Sequence, residues 1–117
     1  MNKKILFEKF PGWDGIRAFI FNGNVLIAIV YNEDENPNAE TSFCVYGKPG
    51  GDYAKKFATV ITGNVIPVYR NVGPNEVELK GCFKVKSVLK KSKCPAISGD
   101  RILICELLLE KTDIKCE

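Results

Sequence analysis

Seven short apolar segments, each closed off by turn residues, limit what this chain can fold into: Ile5 to Phe10, Ile16 to Phe21, Val25 to Tyr31, Phe43 to Tyr46, Val65 to Tyr69, Val77 to Val88 and Ile102 to Leu109. Runs of this length at short intervals predict a β-rich domain, because strands are short and helices show a longer 3.6-residue period. Phe21-Asn22-Gly23-Asn24-Val25 carries the strongest local signal. Asn and Gly both tolerate positive φ, so the flanking segments are predicted to pair antiparallel across a tight turn at Asn22-Gly23. Gly73-Pro74-Asn75-Glu76 predicts another turn, and Pro67, which lacks an N–H, predicts an edge position or the first residue of a strand. The near-continuous apolar run from Ile102 to Leu109 predicts an interior strand covered on both faces. One segment reads as a helix. Asp52 can cap it, Tyr53, Phe57, Val60 and Ile61 share a face, and Gly63 offers a left-handed end, although the β-branched residues between 58 and 62 could equally continue a strand.

With 117 residues the expectation is one domain, 1–117, since there is little room for a second core. Hydrophobic residues at 45% and charged residues at 26%, mixed along the chain, argue against disorder. The apolar runs are far shorter than the ~20 residues of a membrane span. MNKKILFEKFPG lacks the sustained apolar core of a secretory signal, so cytoplasmic residence is expected. The five cysteines, at 44, 82, 94, 105 and 116, have no CxxC spacing, and in that compartment they are expected to be reduced thiols. There is no histidine, which argues against a zinc site and removes the commonest general base and the usual Ser/His and Cys/His pairs. A binding protein without cofactor or catalysis is expected.

Charge is distributed unevenly: the segment from Lys80 to Lys93 holds six lysines and no carboxylate, whereas Glu33 to Glu40 holds four carboxylates and no base. The lysines suit a polyanion. GWDGIRAFIF is similar to the KxDG motif of nucleic-acid ligases and capping enzymes, but Gly12 stands at the lysine position, so no nucleotide can be taken covalently there. Lys48-Pro49-Gly50-Gly51, ahead of the expected helix, is a turn whose backbone amides could approach a phosphate, without full P-loop spacing.

Taken in order, VLIAIVYNED, ENPNAETSF, CVYGKPGG, DYAKKFATVITGN, IPVYRNV, VELKGCFKVKSV and ILICELLLEK resemble the SRA (SET and RING associated, YDG) domain family. That family runs from an apolar strand through a tyrosine and acid cluster, an acidic loop, a Tyr-Thr-Gly-x-Gly-Gly turn and a helix to three further strands. The resemblance implies an α+β, mostly β, PUA-like (SRA-like) fold: a twisted, partly closed β-barrel with one or two short helices. It also implies a DNA-binding reader that recognises modified cytosine in double-stranded DNA by base flipping. Such a reader would be the specificity module of a modification-dependent restriction system, with a nuclease module in the same or a separate chain. Tyr31 then matches the tyrosine that stacks on the flipped ring and Asp34 the acid that meets the base edge. Phe43, Val45 and Tyr46 fall around the second stacking tyrosine and its neighbour, and Gly47 and Lys48 continue into the glycine turn. Arg70, Lys84 and Lys86 are expected near the DNA backbone. Ile29-Val30 stands where the family has Gly-Gly, and Leu79-Lys80 where it has Tyr-Asp, so another modified cytosine or unmodified nucleic acid stays open. The chemistry is coherent: a base removed from its stack needs an aromatic face in place of its neighbours, worth ~1–3 kcal/mol, and an ionised acid accepts from the cytosine amino group. Two alternatives remain, a protein-interaction module such as a small inhibitor or adaptor and a PUA-like RNA-binding domain.

Overall fold

The computed structural model describes residues 1–34, 36, 41–90, 94–95 and 99–116. Two short helices, α1 (Lys3–Lys9) and α2 (Asp52–Ala58), accompany six strands: β1 (Phe19–Asn22), β2 (Val25–Tyr31), β3 (Ser42–Gly47), β4 (Val65–Gly73), β5 (Glu76–Leu89) and β6 (Ile102–Thr112). They form one mixed sheet in the order β1-β2-β4-β5-β6-β3, curled into a half-barrel. The β2–β4 pair is parallel and the other four pairs are antiparallel. The mostly-β expectation holds at that level.

The hairpin forms as expected, with a shift of one residue. Asn22 pairs with Val25, so the two-residue turn is Gly23-Asn24, and Gly23 takes the left-handed position at φ 66°. β4 and β5 join through the expected turn at Pro74-Asn75. Pro67 departs from expectation, because β4 has neighbours on both sides. The β2 register begins one residue later, at Ile29↔Val68, so Pro67 precedes that parallel ladder. β6 is interior in its hydrogen bonding, between β5 and β3, but only one face is covered. Cys105, Leu107 and Leu109 are buried, whereas Ile102 is 48% exposed and Leu103, Ile104 and Leu108 are half-buried.

Curling the sheet creates two cores. The inner one takes alternate side chains of every strand, among them Phe19, Ile29, Tyr31, Phe43, Val45, Ile66, Val68, Phe83, Val85 and Leu107, with Phe57 of α2 closing it. The outer one packs Leu6 of α1 and Trp13 onto Ile20, Ala28, Val30, Tyr69 and Val77. Here α1 corrects the expectation that Ile5 to Phe10 is one more strand-like run. Asn2 Oδ1 accepts from the Lys4 N–H at 2.9 Å, capping a helix whose buried residue is Leu6, and Pro11 follows the C-cap Phe10. Seven residues are too few for a stable isolated helix, so packing must hold it. The Lys3 N–H donates to Asn75 O at 2.9 Å, and Met1 O accepts from the Val77 N–H at 2.9 Å.

α2 is shorter than predicted. Gly51 is its N-cap and Asp52 its first residue, and it ends at the Thr59 C-cap before the β-branched run. Gly63, at φ 98°, lies beyond the helix and donates its N–H to Val85 O at 2.7 Å. The cysteine expectation is corrected more sharply. Cys44 bonds to Cys94 and Cys82 to Cys116, leaving Cys105 as a buried thiol. Cys44 lies on β3, so its bond ties the connection between β5 and β6 to that edge strand.

Candidate nucleic-acid interface

β3 ends in a turn whose geometry its sequence dictates. Pro49 supplies a fixed φ, Gly50 takes φ 70°, and the Gly51 N–H donates to Lys48 O at 2.9 Å, a turn that proline second favours and whose positive φ at the third position calls for glycine. Gly51 is also tight against this turn, since a Cβ there would meet Lys48 O at 3.1 Å. The Lys55 N–H donates to Gly51 O at 3.1 Å, which starts α2 directly from the turn.

A second loop meets the turn. Asp14 Oδ1 accepts from the backbone N–H groups of Ile16 and Arg17, both at 2.8 Å, and the Trp13 indole donates to Arg17 O at 2.7 Å. Gly15, at φ 81°, lies under Phe7, where a Cβ would come within 2.7 Å of Phe7 Cζ. The loop so fixed extends Arg17 to Asp52, with Nη1 to Oδ2 at 3.0 Å. The hydrogen bond to Asp52 raises Arg17, and the same bond holds Asp52 below the usual aspartate value. Tyr53 accepts from the Phe19 N–H at 3.2 Å, and burial pushes its phenol up.

Around this junction lies a cavity of about 270 Å³ lined by Arg17, Tyr46, Gly47, Lys48, Gly51, Asp52, Tyr53 and Arg101. Among the described residues, three cations and one carboxylate, which is paired with Arg17, line the seat, so its lining carries net positive charge. The Tyr46 hydroxyl donates to Pro95 O at 2.5 Å, which fixes the ring at the cavity wall.

The ten residues singled out from sequence fall into separate groups. Tyr46, Gly47 and Lys48 converge on this cavity. Tyr31, Phe43 and Val45 are instead core side chains behind it: Tyr31 is 3% exposed, with its ring edge-on to Phe43 at 5.2 Å between centroids. The stacking role that the resemblance implies for Tyr31 needs an exposed ring face, and this ring is buried. Tyr31 shares its strand parity with Ile29 and points into the half-barrel. Asp34 lies in the exposed turn after β2, whereas the Tyr31 ring is buried. Arg70 registers beside Tyr31, but its guanidinium is engaged by Glu33 at 3.3 Å and Glu78 at 3.1 Å, and the hydrogen bond from Arg70 to Glu78 raises its pKa. Lys84 and Lys86 are exposed on β5, between and beside the inward-facing Phe83 and Val85, and Lys84 registers opposite Glu110. Glu35, Glu40, Lys91 and Lys93, which belong to the acidic and basic segments, lie outside the described residues.

Sequence reasoning missed Arg17 and Arg101. Arg17 had a readable signal, because Asp14-Gly15-Ile16-Arg17 is an aspartate-led turn that holds its fourth residue in place. Arg101, just before β6, follows Gly99-Asp100 with no periodic pattern to single it out. No family model, characterised protein or solved structure matches this chain.

Proposed function

We propose that the chain is a DNA-binding reader of the SRA kind, taking a modified cytosine from the duplex and holding the strand at the end of β3. Its main support is the meeting of Tyr46, Gly47 and Lys48 with Arg17 and Arg101 around one cavity. The order of elements also supports it: strand β2, acidic segment, β3 with its glycine turn, α2, then β4, β5 and β6, the order the resemblance implies. In this reading a backbone phosphate lies among Arg17, Lys48 and Arg101, and the base lies against Tyr46. The cavity is just below the ~300 Å³ where drug-sized sites begin, a scale that suits one base or one phosphate. Tyr31 acts from the core, bracing β3 through Phe43. The outward Lys84 and Lys86 supply further phosphate contacts, and any nuclease is a separate module. The test is binding of a labelled duplex with and without modified cytosine, using wild type and Lys48→Ala. The reading requires a preference for the modified duplex and weaker binding of both duplexes by the variant. Equal, salt-insensitive affinities would end it.

One observation favours a second reading. Two disulfides suit an oxidising compartment and fit poorly with the cytoplasmic residence proposed for a DNA reader. A disulfide-pinned protein-interaction module, the inhibitor or adaptor class, would be at home there. It predicts no duplex binding at physiological salt and both bonds intact in protein alkylated at the moment of isolation.

A further inference from the structure

A larger cleft, of about 700 Å³, adjoins the anion seat and shares Arg17 and Tyr53 with it. One side is the connection from α1 to β1, including Phe10, Trp13 and Asp14. β1, at the edge of the sheet, runs along the cleft, with Phe21 packed towards the inner core and Ile27 towards the outer one, and Lys9 of α1 and Lys56 of α2 also line it. We propose that this cleft binds unpaired nucleotides of a nucleic-acid strand continuous with the phosphate in the Arg17 seat. The proposal rests on the nucleic-acid reading of that seat and extends it to a single-strand path.

Three observations carry the proposal. The lining is partly apolar and open: Phe10 and Ile27 on the outer side of the hairpin and Phe21 on the inner side are half-buried, so a base face can cover surface that water now wets. Cations reach the lining from both helices, Lys9 from α1 and Lys56 from α2, with its Nζ 5.5 Å from the Phe21 ring centroid, and Arg17 joins them from the loop bonded to α2 through Asp52. The one carboxylate of the lining among the described residues, Asp14, is already committed to two backbone N–H groups and to Arg17 Nε at 3.6 Å, so it opposes an incoming phosphate weakly. A basic groove over aromatic and apolar side chains is how single strands are held without sequence preference, at ~1–3 kcal/mol for each stacked base in the proteins where it has been measured. Duplex DNA needs no such apolar lining, because its bases are stacked on one another.

Trp13 is the one tryptophan of the sequence and lines this cleft, which gives a local reporter. Oligothymidylate, a blunt duplex carrying modified cytosine, and an oligoglutamate peptide are each titrated into the intact protein while tryptophan emission and probe anisotropy are followed. We expect a saturable change in Trp13 emission with oligothymidylate. In a Lys9→Ala/Lys56→Ala variant that melts normally, the slope of log affinity against log salt should shrink by about 0.7 for each phosphate no longer neutralised by a lysine. If the modified duplex binds in a Lys48-dependent way while oligothymidylate leaves Trp13 unchanged, the single-strand path is refuted and the reader stands. If oligoglutamate alone perturbs Trp13, the cleft is a groove for an acidic protein segment and the proposal is overturned. If no nucleic acid binds, the reader fails and takes this inference with it.

Discussion

Arg17 Nη1 lies 3.0 Å from Asp52 Oδ2, joining the loop before β1 to the first residue of α2 across 35 positions of sequence. Their side chains are 50% and 59% exposed, so water screens the pair and it adds little to stability. What it does is aim a guanidinium at two adjoining cavities. Arg17→Ala is expected to leave the melting temperature nearly unchanged while lowering affinity for all duplexes about equally, since a phosphate contact carries no direct sequence information. Melting curves beside anisotropy titrations check this, and a large loss of stability at unchanged affinity would make Arg17 a structural residue.

The same junction sets an acid dependence. The Arg17 backbone N–H holds Asp14, and the Arg17 side chain holds Asp52, below the 3.8 of an unperturbed aspartate. A depressed carboxylate contributes stability that is present above the unfolded value and lost as pH falls through the folded one. The contribution of the junction should therefore be constant at neutral pH and fade below about pH 4. Urea midpoints measured against pH are expected to fall less steeply in that acid range for the Asp14→Asn/Asp52→Asn double variant than for wild type.

Tyr31 should behave as a core residue. Tyr31→Ala removes a ring packed on Phe43 and should destabilise the fold by about 3–5 kcal/mol, judged from large-to-small changes at aromatic core positions. Tyr46→Phe keeps its ring and loses the bond to Pro95 O, at a cost of about 0.5–1.5 kcal/mol. Denaturant unfolding of both variants checks the order. If Tyr31→Ala stays fully folded and loses only discrimination between modified and unmodified duplex, its ring is a stacking surface after all.

Thiol chemistry separates the structural cysteines from the inert one. Removing the Cys44–Cys94 bond, which spans 50 residues of sequence, with Cys44→Ser/Cys94→Ser should cost about 2–4 kcal/mol. Burial pushes the Cys105 thiol up to about 12, so the thiolate that alkylates is scarce in folded protein at neutral pH. Iodoacetamide should label one site after unfolding without reductant and five after unfolding with it, because two disulfides hold four of the five cysteines. The raised value also has a sign: stability is retained below the unfolded value of 9.0 and declines as pH rises towards 12.

These outcomes mark what the sequence could reveal. β3, β4, β5 and β6 were readable because glycine and proline turns bracket apolar runs of strand length. α1 was not, since Ile5 and Phe7 mimic a period of two, and its helix depends on Leu6 finding the outer sheet face. Nor could the cysteine pairs be read, because Cys44 and Cys94 meet only through the sheet order. Tyr31 misled through its acidic neighbours, although its parity with Ile29 already pointed it inward. At the site, Tyr46 to Lys48 were legible from the glycine turn, whereas Arg17 and Arg101 reach the same cavity from loops whose placement is a tertiary matter.

The position of β3 has a consequence for how the protein is made. Among the described residues it lies at the edge of the sheet, with β6, Ile102–Thr112, as its one strand neighbour. A ribosome adding about 5–20 residues each second completes β3 several seconds before that neighbour exists. Until then Tyr46 and Gly47 belong to a strand with nothing to pair against, and Lys48 to the turn that follows it, while β1, β2, β4 and β5 can already associate. Arg101, just ahead of β6, arrives with the neighbour itself. The nascent chain therefore cannot engage a ligand through this seat, and competence arises in a single late step, when the last strand docks.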